Sequence, residues 1–303
     1  MAEPAQAGAR GRQRWRLVAV VLGGCVLVGL AFSWLAGGRL VEPNPRSFGM
    51  PEARADALEE LALESASGST LAGWYLPVAD PLGVAVLLHP KEGDRRAMLA
   101  RADLLARAGY ASVLVDLQAH GMSTGEHVTL GHLEREDARA AVAFAKQRQP
   151  GLPVVVVGWS LGGAAAVLAG PLDIDALIVE QVFASVEDAV SDRFDHHMGG
   201  WARLLTPLLT VQVPLRLGVS LGDLRTVDHI GAAGCPVLVL GGGDDPYSPP
   251  DATRALFDAA PEPKAMALFE GVGHTDLQRA DPERYGREVL GFLAEHLGSS
   301  PRP

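Results

Sequence analysis

Apolar positions along the chain fall into three kinds of run. The first is one long uninterrupted stretch. From Leu17 to Gly38 no residue is charged, and the 22 positions are rich in Val, Leu and Gly. The second kind is short and mainly apolar: Gly83–Leu88, Tyr110–Leu117, Val154–Val157, Ala176–Val182, Pro236–Leu240 and Ala265–Phe269. Runs of that length, rich in Val, predict strands buried on both faces. The third kind is amphipathic with helical spacing, over Asp94–Arg107, Leu133–Gln149, Pro250–Ala260 and Pro282–His296. Asp94 is placed as an N-cap, Gly109 as a stop, and Pro150-Gly151 as another. Residues 58–64 and 70–76 predict a hairpin turning through Ser65–Ser69, with Gly68 in the turn.

Strands alternating with helices call for a mainly parallel sheet covered on both faces. Residues 185–231 break that rhythm. They carry no strand pattern, several aromatics, Gly199-Gly200 and prolines at 207 and 214, and predict a mostly helical insertion. Ligands of such sheets bind at the carboxyl ends of the strands, so residues just after each strand are the first candidates for chemistry.

The 22-residue run is long enough to cross a bilayer. Trp15 and Trp34 sit near its ends, where indole prefers the interface. Arg10, Arg12, Arg14 and Arg16 precede it, which places residues 1–16 in the cytoplasm and the body on the far side. Ala36-Gly37-Gly38 has the small residues of a signal-peptidase site, and Leu22-Gly23-Gly24-Cys25 those of a lipoprotein cleavage site. The length of the run, and its continuation beyond Cys25, favour an uncleaved anchor. The expected organisation is a cytoplasmic segment 1–16, a transmembrane helix 17–38, a linker 39–55 with three prolines, a body 56–298 and a tail 299–303.

Composition narrows the partners. The chain has 303 residues with 48% hydrophobic and 20% charged side chains, enough for a sizeable core. Residues 41–303 carry 21 basic and 35 acidic side chains, a net of −14. That balance argues against nucleic acid or an anionic membrane surface as partner. The two cysteines, Cys25 and Cys235, lie in unrelated segments, so neither a disulfide nor a thiolate metal site is expected. His196-His197 are adjacent and project about 100° apart on a helix, which suits a shared metal poorly. No metal and no cofactor is called for.

The chemistry centres on Gly158-Trp159-Ser160-Leu161-Gly162-Gly163. A buried strand, Val154–Val157, turns at once into an alanine-rich helix around a serine. That is the geometry of a nucleophile elbow. A Cβ at position 158 or 162 would collide with the neighbouring helix or strand. A serine hydroxyl needs a general base, a group that orients the base, and donors for an oxyanion. His274, in Gly271-Val272-Gly273-His274, follows the last strand and is the expected base. The orienting acid follows the strand Pro236–Leu240, where Asp244 and Asp245 are both candidates. One oxyanion donor is expected to be the backbone N–H of Leu161. Another should come from the loop after Leu88, where Pro90 has no N–H and Lys91 is the next residue. Two environments are open to the Lys91 ammonium: an anionic group of a substrate, or solvent. Asp116, His120 and Glu126 lie near the rim and are expected to stabilise a loop.

With these residues in hand, the sequence resembles the α/β-hydrolases of the serine aminopeptidase/monoacylglycerol-lipase type, close to bacterial membrane-anchored members. The resemblance covers about residues 55–298. It rests on Leu87-Leu88-His89, Asp116-Leu117-Gln118-Ala119-His120-Gly121-Met122-Ser123, Gly158–Gly163, Asp245 through Pro249, and Gly273-His274. The family spaces its acid as Gly-x-x-Asp-x-x-x-Pro. Gly242, Asp245 and Pro249 match, which implies Asp245 rather than Asp244. The order Ser160, Asp245, His274 is the one expected of this fold. The resemblance makes residues 185–231 a cap over the pocket. The chain departs from the family in having His89-Pro90 for His-Gly and Gln118-Ala119-His120-Gly121 for Arg-Gly-His-Gly. The expectation is a membrane-tethered serine hydrolase acting on a carboxylic ester or thioester, with lipid-like acyl substrates suggested by the tether. The alternatives are a serine peptidase of the aminopeptidase kind, or a non-catalytic binding protein on the same fold.

Overall fold

The computed structural model describes residues 4–298. The body is built on one eight-stranded sheet. Its strands are β1 (Glu59–Glu64), β2 (Thr70–Leu76), β3 (Gly83–Leu88), β4 (Tyr110–Val115), β5 (Val154–Trp159), β6 (Ala176–Glu180), β7 (Val237–Gly242) and β8 (Lys264–Phe269). Across the sheet they run β8-β7-β6-β5-β3-β4-β2-β1. Every pairing is parallel except those of β2 with β1 and β4. β3, β4, β5, β6 and β7 are buried along nearly their whole length. Val154–Val157 are at most 1% exposed, as four consecutive β-branched residues in a central strand require.

Helices cover both faces. Leu99–Arg107 (α2) and Pro282–Leu297 (α11) pack on one side with Trp74, Leu87, Val155 and Val157. Glu134–Arg148 (α3) and Leu161–Leu168 (α4) pack on the other with Val84, Val86, Val154 and Val156. The alternation of Val154–Val157 between the two cores is the strand period of two. The strand ends are in register: Leu88 faces Gly158, Trp159 faces Glu180, and Gly242 faces Phe269. The carboxyl ends of five parallel strands therefore meet at one edge.

The helix expected from Asp94 begins as a 3-10 turn, Arg95–Met98, before α2, with the Asp94 side chain accepting from the Arg96 N–H at 3.0 Å. Two strands stop short of their apolar runs. β4 ends at Val115 because Asp116 turns its carboxylate back to the Arg95 N–H, and β6 ends at Glu180 because Gln181 takes φ +51°. Residues 185–231 form the helices Val186–Met198 (α5), Thr206–Thr210 (α6), Gln212–Leu217 (α7) and Thr226–His229 (α8) with 3-10 turns between them. Pro250–Ala259 (α9) and Leu277–Ala280 (α10) complete the set.

The N-terminal helix α1 runs Pro4–Leu40, and its stretch Ala19–Leu40 is long and apolar enough to be a membrane span or a signal sequence. Its last turns meet the insertion. The Gln212 amide donates to the Ser33 carbonyl at 3.0 Å, and the Arg216 guanidinium lies 3.9 Å over the Trp34 ring. Residues beyond α1 lie across the body. Asn44-Pro45 pairs in parallel with His120-Gly121, Val41 is buried, and Arg46 donates to the Glu92 carbonyl at 2.6 Å.

Candidate active site

Ser160 stands between β5 and α4 with φ 51° and ψ −109°, a strained conformation for a residue with a side chain. The strain is imposed by packing on both sides. A Cβ on Gly158 would lie 2.5 Å from Gly163 Cα, and one on Gly162 would lie 2.2 Å from the Leu88 carbonyl oxygen. The helix can then start against the strand ends, with the Ser160 N–H donating to the Glu180 carbonyl at 2.8 Å.

His274 and Asp245 come from the ends of β8 and β7. His274 Nδ1 lies 2.7 Å from Asp245 Oδ2. The other oxygen, Oδ1, accepts from the Tyr247 and Ser248 N–H groups at 2.8 and 2.9 Å. Asp245 is 2% exposed, whereas Asp244 points into solvent. Burial with three hydrogen bonds spread over both oxygens fixes the carboxylate in one orientation.

Ser160 and His274 line one cavity of about 670 Å³. Trp159, Leu161, Leu130, Phe183 and Leu40 give it an apolar wall, and Lys91, Arg193, His197 and Tyr247 a polar one. Its roof is α5, which presents Val186, Ala189, Val190, Arg193 and His197 to the cavity. That spacing is one face of a helix.

Neither Leu161 nor Lys91 has a backbone acceptor for its N–H among the described residues. Lys91 sits in a turn closed by the Gly93 N–H to the Pro90 carbonyl at 3.0 Å. The turn is held from below by His89. Its Nε2 accepts from the Leu117 N–H at 2.9 Å, so Nδ1 carries the proton and donates to the Pro90 carbonyl at 2.8 Å. Complete burial, with His120 beside it, pushes the His89 imidazole down to about 3. Burial also lowers Lys91 and Arg193 from their ordinary values.

Asp116 and His120 have the loop roles expected of them. The Asp116 carboxylate binds the Arg95 guanidinium at 2.5 Å, the Arg95 N–H at 2.6 Å and the Met122 N–H at 2.8 Å. His120 Nδ1 lies 2.9 Å from the Gln118 carbonyl. Glu126 is exposed.

Three groups near the site lay outside the sequence reading. Gln181 is completely buried at the end of β6. Its Oε1 accepts from Trp159 Nε1 at 3.0 Å, and its Nε2 donates to the Gly273 carbonyl at 2.6 Å. Beneath Trp159 lies a buried ion cluster in which Arg101 binds Glu180 at 2.5 Å and Asp276 at 3.1 Å, and the Tyr285 hydroxyl donates to Glu180 at 2.5 Å. Arg193 reaches down from α5 to lie 4.5 Å over the Tyr247 ring. The sequence marks Gln181 only as the residue after a strand. Trp159 is half-buried, with Arg101 5.0 Å from its ring, and also lines the cavity.

Residues 79–223 match the family described as serine aminopeptidase, S33. The chain is 31% identical over 273 residues to a monoacylglycerol lipase of Mycolicibacterium smegmatis, covering 74% of this chain and 92% of that one. The chain belongs to the α/β-hydrolase superfamily. It is also 29% identical over 288 residues to an uncharacterized protein of Mycobacterium tuberculosis, covering 93% of this chain and 92% of that one. Among solved structures it is similar to a Pyrococcus furiosus esterase, with a TM-score of 0.69 at 18% identity, over 85% of this chain and 99% of that chain. The fold of this hydrolase is thus shared well beyond sequence likeness. That family relationship places the chain among the hydrolases.

Proposed function

We propose that the chain is a serine hydrolase that cleaves a carboxylic ester or thioester through an acyl-enzyme on Ser160. The observation that carries the reading is the 2.7 Å bond between His274 Nδ1 and the buried Asp245, beside a serine held at a strained elbow in the same cavity. Ser160 Oγ attacks the acyl carbonyl carbon while its proton passes to His274 Nε2. Asp245 holds the imidazole in the Nδ1–H tautomer and stabilises the imidazolium. The Leu161 and Lys91 N–H groups receive the oxyanion. Collapse expels the alcohol or thiol, which takes the proton back from His274. Water, deprotonated by His274, then releases the acid.

The apolar wall of the cavity favours acyl esters over peptides. So does the lack of a carboxylate beside Ser160 to hold a free amine: Glu92, exposed at the rim, is the one acid lining the cavity among the described residues. The same reading takes residues 17–38 as an uncleaved transmembrane anchor, with the hydrolase body 56–298 on the extracytoplasmic side. Its support is the arginine-rich flank and the distribution of exposed large apolar side chains. Among the described residues, apart from Met122, these all lie on α1 or between Met198 and Leu215, a stretch that takes in α6 and part of α7, the two helices of the insertion that α1 touches.

Labelling with a fluorophosphonate tests the nucleophile. The wild-type protein should label and Ser160→Ala should not; equal labelling of both would sink the assignment. A hydrolysis profile across p-nitrophenyl esters of increasing chain length, beside aminoacyl amides, ranks ester against peptide. A reporter fused after Pro303 that is active only in the cytoplasm would refute the orientation.

A further inference from the structure

The cavity's cations outnumber its anions. Arg193 projects from α5 into a chamber lined by Ser160 and His274, half-buried, with no carboxylate oxygen within 4.0 Å among the described residues. One of its N–H groups donates to the Ala189 carbonyl at 3.1 Å, and its plane lies over Tyr247. The other guanidinium donors have no protein acceptor there. A guanidinium offers five N–H donors, so most of this one is unspent. Lys91 lies close enough for the two positive charges to depress its ammonium further. Its ion-pair partner is Glu92, 3.7 Å away and 82% exposed. The third cation, Arg39, enters the lining at the end of α1. Against these three the lining holds one acid, Glu92; Asp245 lies beneath, committed to His274, Tyr247 and Ser248.

Such an arrangement costs free energy in the empty protein. Two cations are partly desolvated and brought together, with the exposed Glu92 as the one counter-charge in the lining. The net acidity of the body makes their concentration here more pointed, since 14 more acids than bases lie between residues 41 and 303. An anion placed between them would recover that cost, through charge-assisted bonds from a guanidinium fork and an ammonium.

We propose that Arg193 and Lys91 form an anion subsite beside Ser160, and that the substrate is an anionic amphiphile whose acyl chain lies on the apolar wall. The proposal rests on the serine-hydrolase reading for the word substrate, but not for the binding site itself. Arg193 is the specificity-determining side chain. Lys91 contributes its ammonium to the anion and its backbone N–H to the oxyanion. The anion is a phosphate or a carboxylate, carried by the leaving group or by the far end of the acyl chain.

The test begins with binding, in the full-length protein held in neutral nanodiscs. Hexyl phosphate and hexanol, matched in chain, are titrated calorimetrically into wild type, Arg193→Gln and Arg193→Lys. Hexyl phosphate should bind at least about tenfold tighter than hexanol, and more weakly as salt is raised. Arg193→Gln should remove that preference and Arg193→Lys should restore part of it, with melting curves showing that each variant is folded. Turnover then locates the anion. The ratio of kcat/KM for 1-octanoylglycerol 3-phosphate over 1-octanoylglycerol reports a headgroup anion. The ratio for p-nitrophenyl hemiglutarate over p-nitrophenyl butyrate reports an acyl-side one. One of the two ratios should exceed about ten in wild type and fall about tenfold in Arg193→Gln, mainly through KM. Equal binding of hexyl phosphate and hexanol, or a phosphate affinity that Arg193→Gln leaves within about twofold, overturns the subsite. Arg193-dependent binding without hydrolysis of any ester, and without fluorophosphonate labelling, would instead leave the subsite standing and remove the hydrolase.

Discussion

Gly162 lies so close to Leu88 that a Cβ on the glycine would sit 2.2 Å from the leucine's carbonyl oxygen. This contact brings the start of α4 against the end of β3. The two proposed oxyanion donors, Leu161 and Lys91, belong to those two segments. Gly162→Ala must drive them apart, because the two nearest atoms in the way are backbone. The expected result is a loss of about 1–3 kcal/mol in urea denaturation from overpacking. Ester turnover should fall about a hundredfold from misplaced donors, read as kcat on a short p-nitrophenyl ester.

The two adjacent aspartates should behave differently. Asp245→Asn keeps the shape but cannot hold His274 as the Nδ1–H tautomer. Its kcat should fall on the order of a thousandfold or more, with little change in melting temperature. Asp244 is exposed, so Asp244→Asn should leave kcat within about twofold. The reverse ranking would reassign the acid.

Gln181 ties the residue before the nucleophile to the residue before the base, through Trp159 Nε1 and the Gly273 carbonyl. Gln181→Ala removes both bonds and leaves two half-buried polar groups without these partners. We expect kcat to drop about tenfold or more while KM for a short ester changes little, since the acyl wall is untouched. Gln181→Glu keeps the acceptor but loses the donor, and should fall between the two. A KM effect alone would show that Gln181 shapes the pocket rather than the catalytic geometry.

His89 makes stability depend on pH. Its folded value of about 3 lies below the ordinary 6.5. As pH falls below 6.5, the unfolded chain takes up a proton that the folded protein refuses until about 3. Its contribution is therefore complete above 6.5 and is lost progressively towards 3. The loss is on the order of a few kcal/mol. Urea unfolding of wild type and His89→Gln at pH 7, 5.5 and 4.5 reads it out. The variant should be less stable at pH 7 and show a shallower decline.

Much of the sheet was legible because its strands are short, apolar and punctuated. Val154–Val157 could be placed in a buried central strand from four β-branched residues alone, and Gly68 and Gly109 marked turns that take φ +87° and +91°. Strand ends were less legible. Tyr110–Leu117 and Ala176–Val182 each end on an apolar residue, but Asp116 and the left-handed Gln181 within them end the ladders first. An apolar run does not encode where a distant partner takes over the backbone's hydrogen bonds.

The site divides in the same way. Ser160 and His274 carried local signals, a strand-turn-helix around a serine and a histidine after the last strand. Those signals are short-range, set by what a tight turn and a strand end permit, and the chain by itself determined them. The choice between Asp244 and Asp245 was open to residue chemistry, since the two are neighbours of one type, and only spacing shared with a family separated them. Burial of one and exposure of the other follow from how β7 meets β8. Gln181, His89 and Arg193 became visible only in three dimensions. Each acts across 28 to 92 positions of sequence or across the space of a cavity, and no periodicity records such a contact. Sequence thus set the strands, the elbow and the candidate nucleophile and base. Tertiary packing alone decided which polar groups lost their water, and with it which of them hold the site together.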